Sequence, residues 1–234
     1  LDERGMWLLL TRLKASRQHV LSDMVRSGQV GGLIVIGQLT LHDYLNELTR
    51  EGFPMVVWGA PLPDAVYPVV GGDNAMGGYL ATRHLIEQGS RRIAFFGDHT
   101  HPEAGLRFQG YRRALHEAGL EPDPRLLQPF LFGDARIRAV IDQWLDLHLG
   151  FDAIFAASDV TAISLMGALT ERGIQVPQQV RLAGYDDIAL AEHVHPPLTT
   201  VRQPTGEAGR ALVDLLFEAL AGQPRRNIVL PAEL

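Results

Sequence analysis

Residues 151–187 read FDAIFAASDVTAISLMGALTERGIQVPQQVRLAGYDD, and they indicate the class of fold. The runs Ala153–Ala156 and Val180–Ala183 are apolar on both faces, as strands buried in a parallel sheet are. Between them, Thr161–Arg172 repeats apolar residues every three or four positions, which is the period of a helix. A strand, a helix and a strand with short polar joints predict a right-handed crossover between two parallel strands.

The same alternation extends toward the N-terminus. Further strands are predicted at Trp7–Leu10, Gly32–Ile36, Met55–Trp58 and Arg92–Phe96. Further helices are predicted at Ala75–Gln88 and Ala208–Leu220, and in GLRFQGYRRAL, residues 105–115. The pattern predicts an α/β fold built from doubly wound, mostly parallel sheets.

The segment HVHPPLTTVRQP, residues 193–204, breaks this alternation. Prolines bracket the short β-branched strand Leu198–Val201. Because proline cannot donate to a central ladder, this strand is expected where the chain crosses between sheets. A last strand is predicted at Asn227–Leu230.

Composition excludes several functional classes. The chain has 234 residues, a length that suits one large or two small domains. Its 46% of hydrophobic residues is enough to form a sizeable buried core. They contain no cysteine, which excludes disulfides, thiolate zinc sites, iron–sulfur ligation and a cysteine nucleophile. The net charge of −6 argues against nucleic-acid binding by these residues alone. No apolar run approaches the ~20 residues of a membrane span, and LDERGMWLLLTRLK lacks the features of a signal peptide. A cytoplasmic protein with no membrane partner is expected.

Signals of enzymatic chemistry are weak. GGDNAMGG, residues 71–78, has neither the P-loop lysine nor the G-x-G-x-x-G order, so it predicts a turn with Asp73 or Asn74 as N-cap. No serine lies in a G-x-S-x-G elbow. The histidine pairs 99/101 and 193/195 have no third metal ligand placed beside them. We predict no catalytic residue, no metal and no cofactor.

A ligand site is predicted at the carboxyl ends of the strands, where open α/β sheets bind ligands. Polar or aromatic residues stand at five such ends: Gly37 and Gln38, Trp58 and Gly59, Gly97 to His101, Ser158 and Asp159, and Tyr185 to Asp187. Asp159 could cap a helix or accept bonds from ligand hydroxyls. Arg107 could be a solvated residue or a charge directed at the ligand. Periodicity leaves both alternatives open.

Several segments in order resemble one family. They are VGGLIVIG (30–37), DNAMGGYLATRHLIEQGSRRIAFFGD (73–98), RFQGYRRALHEAGL (107–120), residues 151–187, PPLTTVRQP (196–204) and VLPAEL (229–234). Together they resemble the effector-binding portion of the lac repressor/gal repressor family of bacterial transcription regulators. The spacing between GYDD and PPLTTVRQP is the specific part of this resemblance.

The resemblance implies a periplasmic-binding-protein-like fold of two α/β subdomains joined by three crossovers. The N-terminal subdomain is expected at residues 1–98 plus 188–224, without its first strand and helix. The C-terminal subdomain is expected at residues 99–187 plus 225–234. The resemblance also implies an effector in the cleft between subdomains, a homodimer, and operator DNA bound through a helix-turn-helix headpiece outside this chain.

The resemblance carries over to particular residues. Arg107 matches the arginine of the family's R-x-x-G-[YF] motif, and Asp186 matches the first aspartate of G-[YF]-D-[DN]; both contact effector in the family. Ser158 and Asp159 match the pair after the fifth strand. Ala135 stands where the family commonly has a stacking aromatic residue. Phe130 or Phe132 could replace that ring, and Trp58 is another candidate for stacking or for the core.

The leading hypothesis is therefore the effector-sensing core of a transcription regulator, which binds a small polar molecule such as a sugar and catalyses no reaction. One alternative is a periplasmic solute-binding protein of a sugar transporter. A second alternative is an α/β enzyme acting on sugars, with Asp159 and Asp186 as its acid–base pair.

Overall fold

A computed structural model of the chain describes residues 5–12, 18–37, 41–130 and 136–234. The helices are α1 (Gln18–Arg26), α2 (His42–Arg50), α3 (Asn74–Glu87), α4 (Pro102–Glu117), α5 (Ile137–Asp146), α6 (Asp159–Glu171) and α7 (Thr205–Leu220). The strands are β1 (Leu33–Ile36), β2 (Met55–Trp58), β3 (Val69–Gly72), β4 (Ile93–Phe96), β5 (Leu127–Gln128), β6 (Ala153–Ala156), β7 (Arg181–Asp186), β8 (Thr199–Arg202) and β9 (Ile228–Leu230). These strands pair in parallel throughout, so the predicted α/β class with parallel sheets is confirmed. Within the described ranges, no helix is both long and apolar enough to span a bilayer.

The chain forms two compact units. Unit 1 comprises Leu1–Gly72 and Thr205–Leu230, and unit 2 comprises Asp73–Pro204 and Pro231–Leu234. These boundaries differ from the predicted ones because strand pairing, rather than sequence order, assigns each segment. Strand β4 pairs with β6, and strand β8 pairs with β7. Strands β4 and β8 therefore belong to unit 2. Strand β9 pairs with β3, which places it in unit 1.

Unit 1 contains a four-stranded sheet in the order β1-β2-β3-β9. Successive side chains of a strand point to opposite faces of its sheet. Val56 and Val70 accordingly pack against α7, whereas Val57 and Val69 pack in the cluster that contains the apolar residues of α2. Both faces of the sheet are therefore covered, which explains why its strands are apolar on both sides.

Unit 2 contains a five-stranded sheet in the order β5-β4-β6-β7-β8. Phe95 and Phe155 pack on one face with the apolar residues of α3 and α4. Phe96 and Ile154 pack on the other face with those of α5 and α6. Because all five strands are parallel, their carboxyl ends lie along one edge of this sheet.

Seven of the eight predicted strands are present, with ends shifted by up to three residues. The prediction of a strand at Trp7–Leu10 is wrong: Trp7 is fully exposed, and no described strand pairs with this segment. A strand needs a neighbour for its N–H and C=O groups, and apolar composition alone does not supply one. Strands β3 and β5 were not predicted, because the first contains two glycines and the second has two residues.

Candidate functional site

The ends of β4, β6 and β7 place polar residues along one edge of the unit 2 sheet. Asp98 follows β4, Ser158 follows β6, and Asp186 ends β7. These three strands are hydrogen-bonded neighbours, so their carboxyl ends are adjacent. Arg107 approaches the same edge from α4. The structure therefore groups polar side chains from three strand ends and α4 at the carboxyl edge of the unit 2 sheet.

Arg107 is buried, with 5% of its surface exposed. Its Nε donates a hydrogen bond to Oδ1 of Asn74 at 2.8 Å, and its Nη1 donates to the carbonyl oxygen of Ala157 at 2.5 Å. The guanidinium carbon lies 3.6 Å from the centroid of the Tyr185 ring, in cation–π geometry. These contacts fix the orientation of the guanidinium, so the alternative of a solvated surface arginine is wrong.

Asp186 lies beside this guanidinium. Its Oδ1 is 3.7 Å from Nη1 of Arg107 and accepts a hydrogen bond from Nε2 of Gln203 at 2.7 Å. Burial raises the pKa of the Asp186 carboxyl, while the positive charge of Arg107 and the Gln203 bond oppose that rise. The Asp186 side chain is partly exposed, at 24% of its surface.

The pair presents complementary chemistry within a few ångströms. Asn74 and Ala157 accept hydrogen bonds from two of the five guanidinium N–H donors of Arg107. The carboxylate of Asp186 offers acceptor sites to a ligand hydroxyl. A hydroxyl both donates and accepts, so neighbouring hydroxyl groups satisfy both partners at once.

Ser158 and Asp159 have roles inside the protein. Ser158 is the N-cap of α6: its Oγ accepts a hydrogen bond from the Thr161 N–H at 3.3 Å and donates to Oγ1 of Thr161 at 2.9 Å. Asp159 is fully buried, and its carboxylate accepts from the Ile188 N–H and the Thr200 hydroxyl. The capping role considered for Asp159 therefore belongs to Ser158.

The aromatic candidates lie in three different settings. Trp58 ends β2 in unit 1, where it is half-buried and packs against the cluster around α7. Phe130 is buried in the unit 2 core, 5.5 Å from the ring of Phe96. Phe132 and Ala135 lie outside the described residues.

The glycine-rich segment behaves as predicted. Asp73 is the N-cap of α3, and its Oδ1 accepts from the Met76 N–H at 2.9 Å. Among the histidines after β4, His101 lies with Nδ1 3.1 Å from Oδ2 of Asp98, and His99 packs its ring against Phe108. In the part of the chain that the structure describes, no three His, Asp or Glu side chains are grouped as metal ligands would be.

Two contributors to the site were missed by sequence reasoning. Asn74 was considered only as a helix cap, and Gln203 was assigned no role. Asn74 lies in the DN-x₂-G segment and Gln203 in PPLTTVRQP, so both stood in the motifs that carry the family resemblance. Their partners, Arg107 and Asp186, are 33 and 17 residues away in sequence, which no local pattern reveals.

Comparison with known proteins assigns the family. A family model described as a periplasmic binding protein-like domain matches residues 82–234. The HTH-type transcriptional regulator CelR of Thermobifida fusca is 37% identical over 244 residues, covering 100% of this chain and 70% of CelR. The chain belongs to the LacI family of transcriptional regulators. This is the lac repressor/gal repressor family that the sequence motifs resemble, so that prediction is confirmed.

Solved structures of LacI-family regulators share the fold. The CelR–cellobiose complex superposes with a TM-score of 0.88 at 35% identity, covering 99% of this chain and 73% of that one. A LacI-family regulator from Enterococcus faecium with bound ribose has a TM-score of 0.86 at 27% identity, covering 100% and 87%. The periplasmic-binding-protein-like fold is thereby confirmed.

These relatives favour the regulator hypothesis over the transporter alternative, and none of those named above is an enzyme. The chain spans 59–70% of the length of the curated regulators that it matches.

Proposed function

We propose that this chain is the effector-sensing core of a LacI-family regulator, and that Arg107 and Asp186 bind a sugar at the carboxyl edge of the unit 2 sheet. Binding changes the affinity of the whole regulator for its operator DNA. The chain performs no chemistry on the bound molecule. The regulator works as a homodimer in the cytoplasm, and its helix-turn-helix headpiece contacts the operator DNA.

The observation that carries this proposal is the buried Arg107 placed beside the partly exposed side chain of Asp186. An arginine is rarely buried unless its donors are occupied, because removing a charge from water is unfavourable. Here Asn74, Ala157 and the Tyr185 ring hold the guanidinium before any ligand arrives. A guanidinium group that is already oriented beside a carboxylate favours a ligand with adjacent hydroxyl groups.

The ligands of related regulators support the sugar class. CelR is solved as a complex with cellobiose, and the Enterococcus faecium regulator holds ribose. Both molecules are polyhydroxylated and uncharged, which suits one donor fork beside one acceptor carboxylate. Trp58 and Phe132 stay predictions as rings that stack on a sugar face. Ser158 stays a prediction as a ligand contact, although its hydroxyl already caps α6.

Regulation follows from a difference in affinity. A ligand shifts a protein toward one conformation only if it binds that conformation more tightly than the other. We therefore expect the sugar to bind the DNA-competent and DNA-incompetent conformations unequally. The net charge of −6 leaves the DNA contact to a basic headpiece rather than to this chain.

A thermal-shift screen over sugars and nucleobases, followed by titration calorimetry with cellobiose and ribose, tests the proposal. A bound sugar raises the melting temperature by mass action. Arg107→Ala should weaken binding by roughly 2–5 kcal/mol, because it strands polar groups of the site and the ligand. Arg112→Ala, an exposed arginine on the same helix, is the matched control and should bind like wild type. Unchanged affinity in Arg107→Ala, or no sugar that raises the melting temperature, would overturn the proposal.

A further inference from the structure

The main chain at the end of β7 adopts a conformation that L-amino acids rarely take. Asp186 has φ +120° and the next residue, Asp187, has φ +57°. Among the described non-glycine residues, His148 is the only other one with positive φ. Positive φ brings Cβ close to neighbouring main-chain atoms, so such residues persist only where surrounding contacts impose the conformation. The two residues include the proposed ligand-binding aspartate.

The carboxylate of Asp159 supplies these contacts. Its Oδ2 accepts the main-chain N–H of Ile188 at 2.9 Å, directly after the unusual pair. Its Oδ1 accepts the hydroxyl of Thr200 at 2.5 Å, and the oxygen of that hydroxyl accepts the N–H of Asp187 at 3.4 Å. One carboxylate thus holds two successive N–H groups, the first through Thr200 and the second directly.

The surroundings of Asp159 are built for this role. An added Cβ on Gly184 would lie 2.2 Å from Oδ1 of Asp159, so only glycine lets the carboxylate approach strand β7 so closely. Asp159 has no exposed surface, and both of its oxygens already accept hydrogen bonds from the protein. A ligand therefore has no access to this side chain.

The turn also determines where the Asp186 carboxylate points. Its Oδ1 accepts a hydrogen bond from Nε2 of Gln203 at 2.7 Å and lies 3.7 Å from Nη1 of Arg107. Rotating the main chain at Asp186 and Asp187 toward ordinary φ values would swing this carboxylate away from both partners. We propose that Asp159 is a positioning residue, which imposes the left-handed turn at Asp186–Asp187 and thereby directs Asp186 toward the ligand. This inference rests on the proposed function and replaces direct ligand contact as the role of Asp159.

A rescue experiment separates positioning from general loss of structure. Asp159→Asn keeps the size of the side chain but replaces one acceptor oxygen by an NH₂ group. It should weaken cellobiose binding on the order of tenfold. Asp187→Gly in the same protein should restore affinity to within about threefold, because glycine adopts φ +57° without strain. Asp187→Ala also removes the carboxylate that pairs with Arg202 but keeps Cβ, so it should not restore affinity.

Thr200→Val provides a milder second variant in case Asp159→Asn folds poorly. It removes only the bridging hydroxyl, and we expect a smaller loss of cellobiose affinity, again reversed by Asp187→Gly. Ribose replaces cellobiose in all titrations if ribose is the sugar that the wild-type protein binds.

Amide hydrogen exchange provides a readout that needs no ligand. The Ile188 N–H should be protected in the wild-type protein and should exchange about tenfold faster in Asp159→Asn. The positioning role would be overturned if Asp159→Asn bound the sugar as tightly as wild type. It would also be overturned if Asp159→Asn lost affinity and neither Asp187→Gly nor Asp187→Ala restored it. If the wild-type protein binds neither sugar, the proposed function and the positioning role both fail. The expected change in exchange of the Ile188 N–H would then still show the hydrogen bond between Asp159 and Ile188.

Discussion

Replacing Gly110 by alanine would place a methyl group inside the main chain of a neighbouring helix. Gly110 lies in α4 where this helix crosses α3. An added Cβ would lie 2.0 Å from the carbonyl oxygen of Ala75 and 2.5 Å from the nitrogen of Tyr79. Contacts below 3.0 Å do not occur at real Cβ atoms, so the helices must separate by about 1 Å to admit the methyl group.

Two opposing effects determine the stability of the Gly110→Ala variant. Alanine is favoured over glycine within a helix by roughly 0.5–1 kcal/mol. Forcing extra volume into a packed contact typically costs about 1–3 kcal/mol, and more when main-chain atoms block relief. Here both nearest atoms belong to main chain, so the steric cost exceeds the gain. We expect a net loss of about 2 kcal/mol in the free energy of unfolding, which for a chain of this length corresponds to a fall of roughly 4–8 °C in melting temperature.

The same displacement reaches the candidate site. Arg107 lies one helical turn before Gly110, and its Nε donates across the α3–α4 contact to Asn74 at 2.8 Å. Separating the helices by about 1 Å stretches this bond beyond ordinary hydrogen-bond length. Gly110→Ala should therefore weaken sugar binding as well as stability, although residue 110 itself touches no ligand.

Gly167→Ala is the matched control for this prediction. Gly167 also lies within a helix, α6, but an added Cβ there meets no atom within 4 Å. This variant should gain about 0.5–1 kcal/mol through helix propensity alone. Urea denaturation of both variants, followed by calorimetry with cellobiose, measures the two effects. A Gly110→Ala protein as stable as wild type would refute the close packing of α3 against α4.

Three further predictions concern stability. Asp73→Ala removes the N-cap of α3 and should lower the free energy of unfolding by about 1 kcal/mol, whereas Asp73→Asn should preserve it; thermal melts compare the two. The hydrogen bond from Arg125 lowers the pKa of Asp123 to about 2, so its stabilisation is present above pH ~4 and is lost as pH falls toward 2. Acid unfolding of Asp123→Asn should therefore be less steep in that window, and an unchanged slope contradicts the ion pair. Trp144→Ala empties a core site that is 2% exposed and should cost about 3–5 kcal/mol in urea denaturation, against almost nothing for the exposed Leu147→Ala.

Local sequence pattern predicted seven of the nine described strands. Met55–Trp58 and Ala153–Ala156 were predicted at their observed bounds, because an unbroken apolar run shows that both faces of a strand are buried. The motifs also identified the family and selected Arg107 and Asp186, which the structure places side by side. The strand predictions depend only on residues within one strand, whereas Arg107 and Asp186 were selected by the family resemblance, because periodicity left the role of Arg107 open.

Tertiary structure alone decided which segments belong together. The boundary at Asp73, instead of Asp98, follows from the pairing of β4 with β6, whose strands lie 60 residues apart in register. The exposed Trp7–Leu10 shows the converse, since its apolar composition suits a strand but no described strand pairs with it. Hydrogen-bonding partners in a sheet are a property of topology, which periodicity does not encode.

The roles of Ser158 and Asp159 were also beyond the sequence. Both are short polar residues at the start of a helix, and either one suits a cap or a ligand contact. Ser158 meets Thr161 three residues later, whereas Asp159 meets Thr200, 41 residues away, and so supports the turn that carries Asp186. Sequence determined the kinds of group at the site, because composition specifies chemistry. Only the tertiary structure decided which of them face a ligand, because that depends on contacts between residues far apart in the chain.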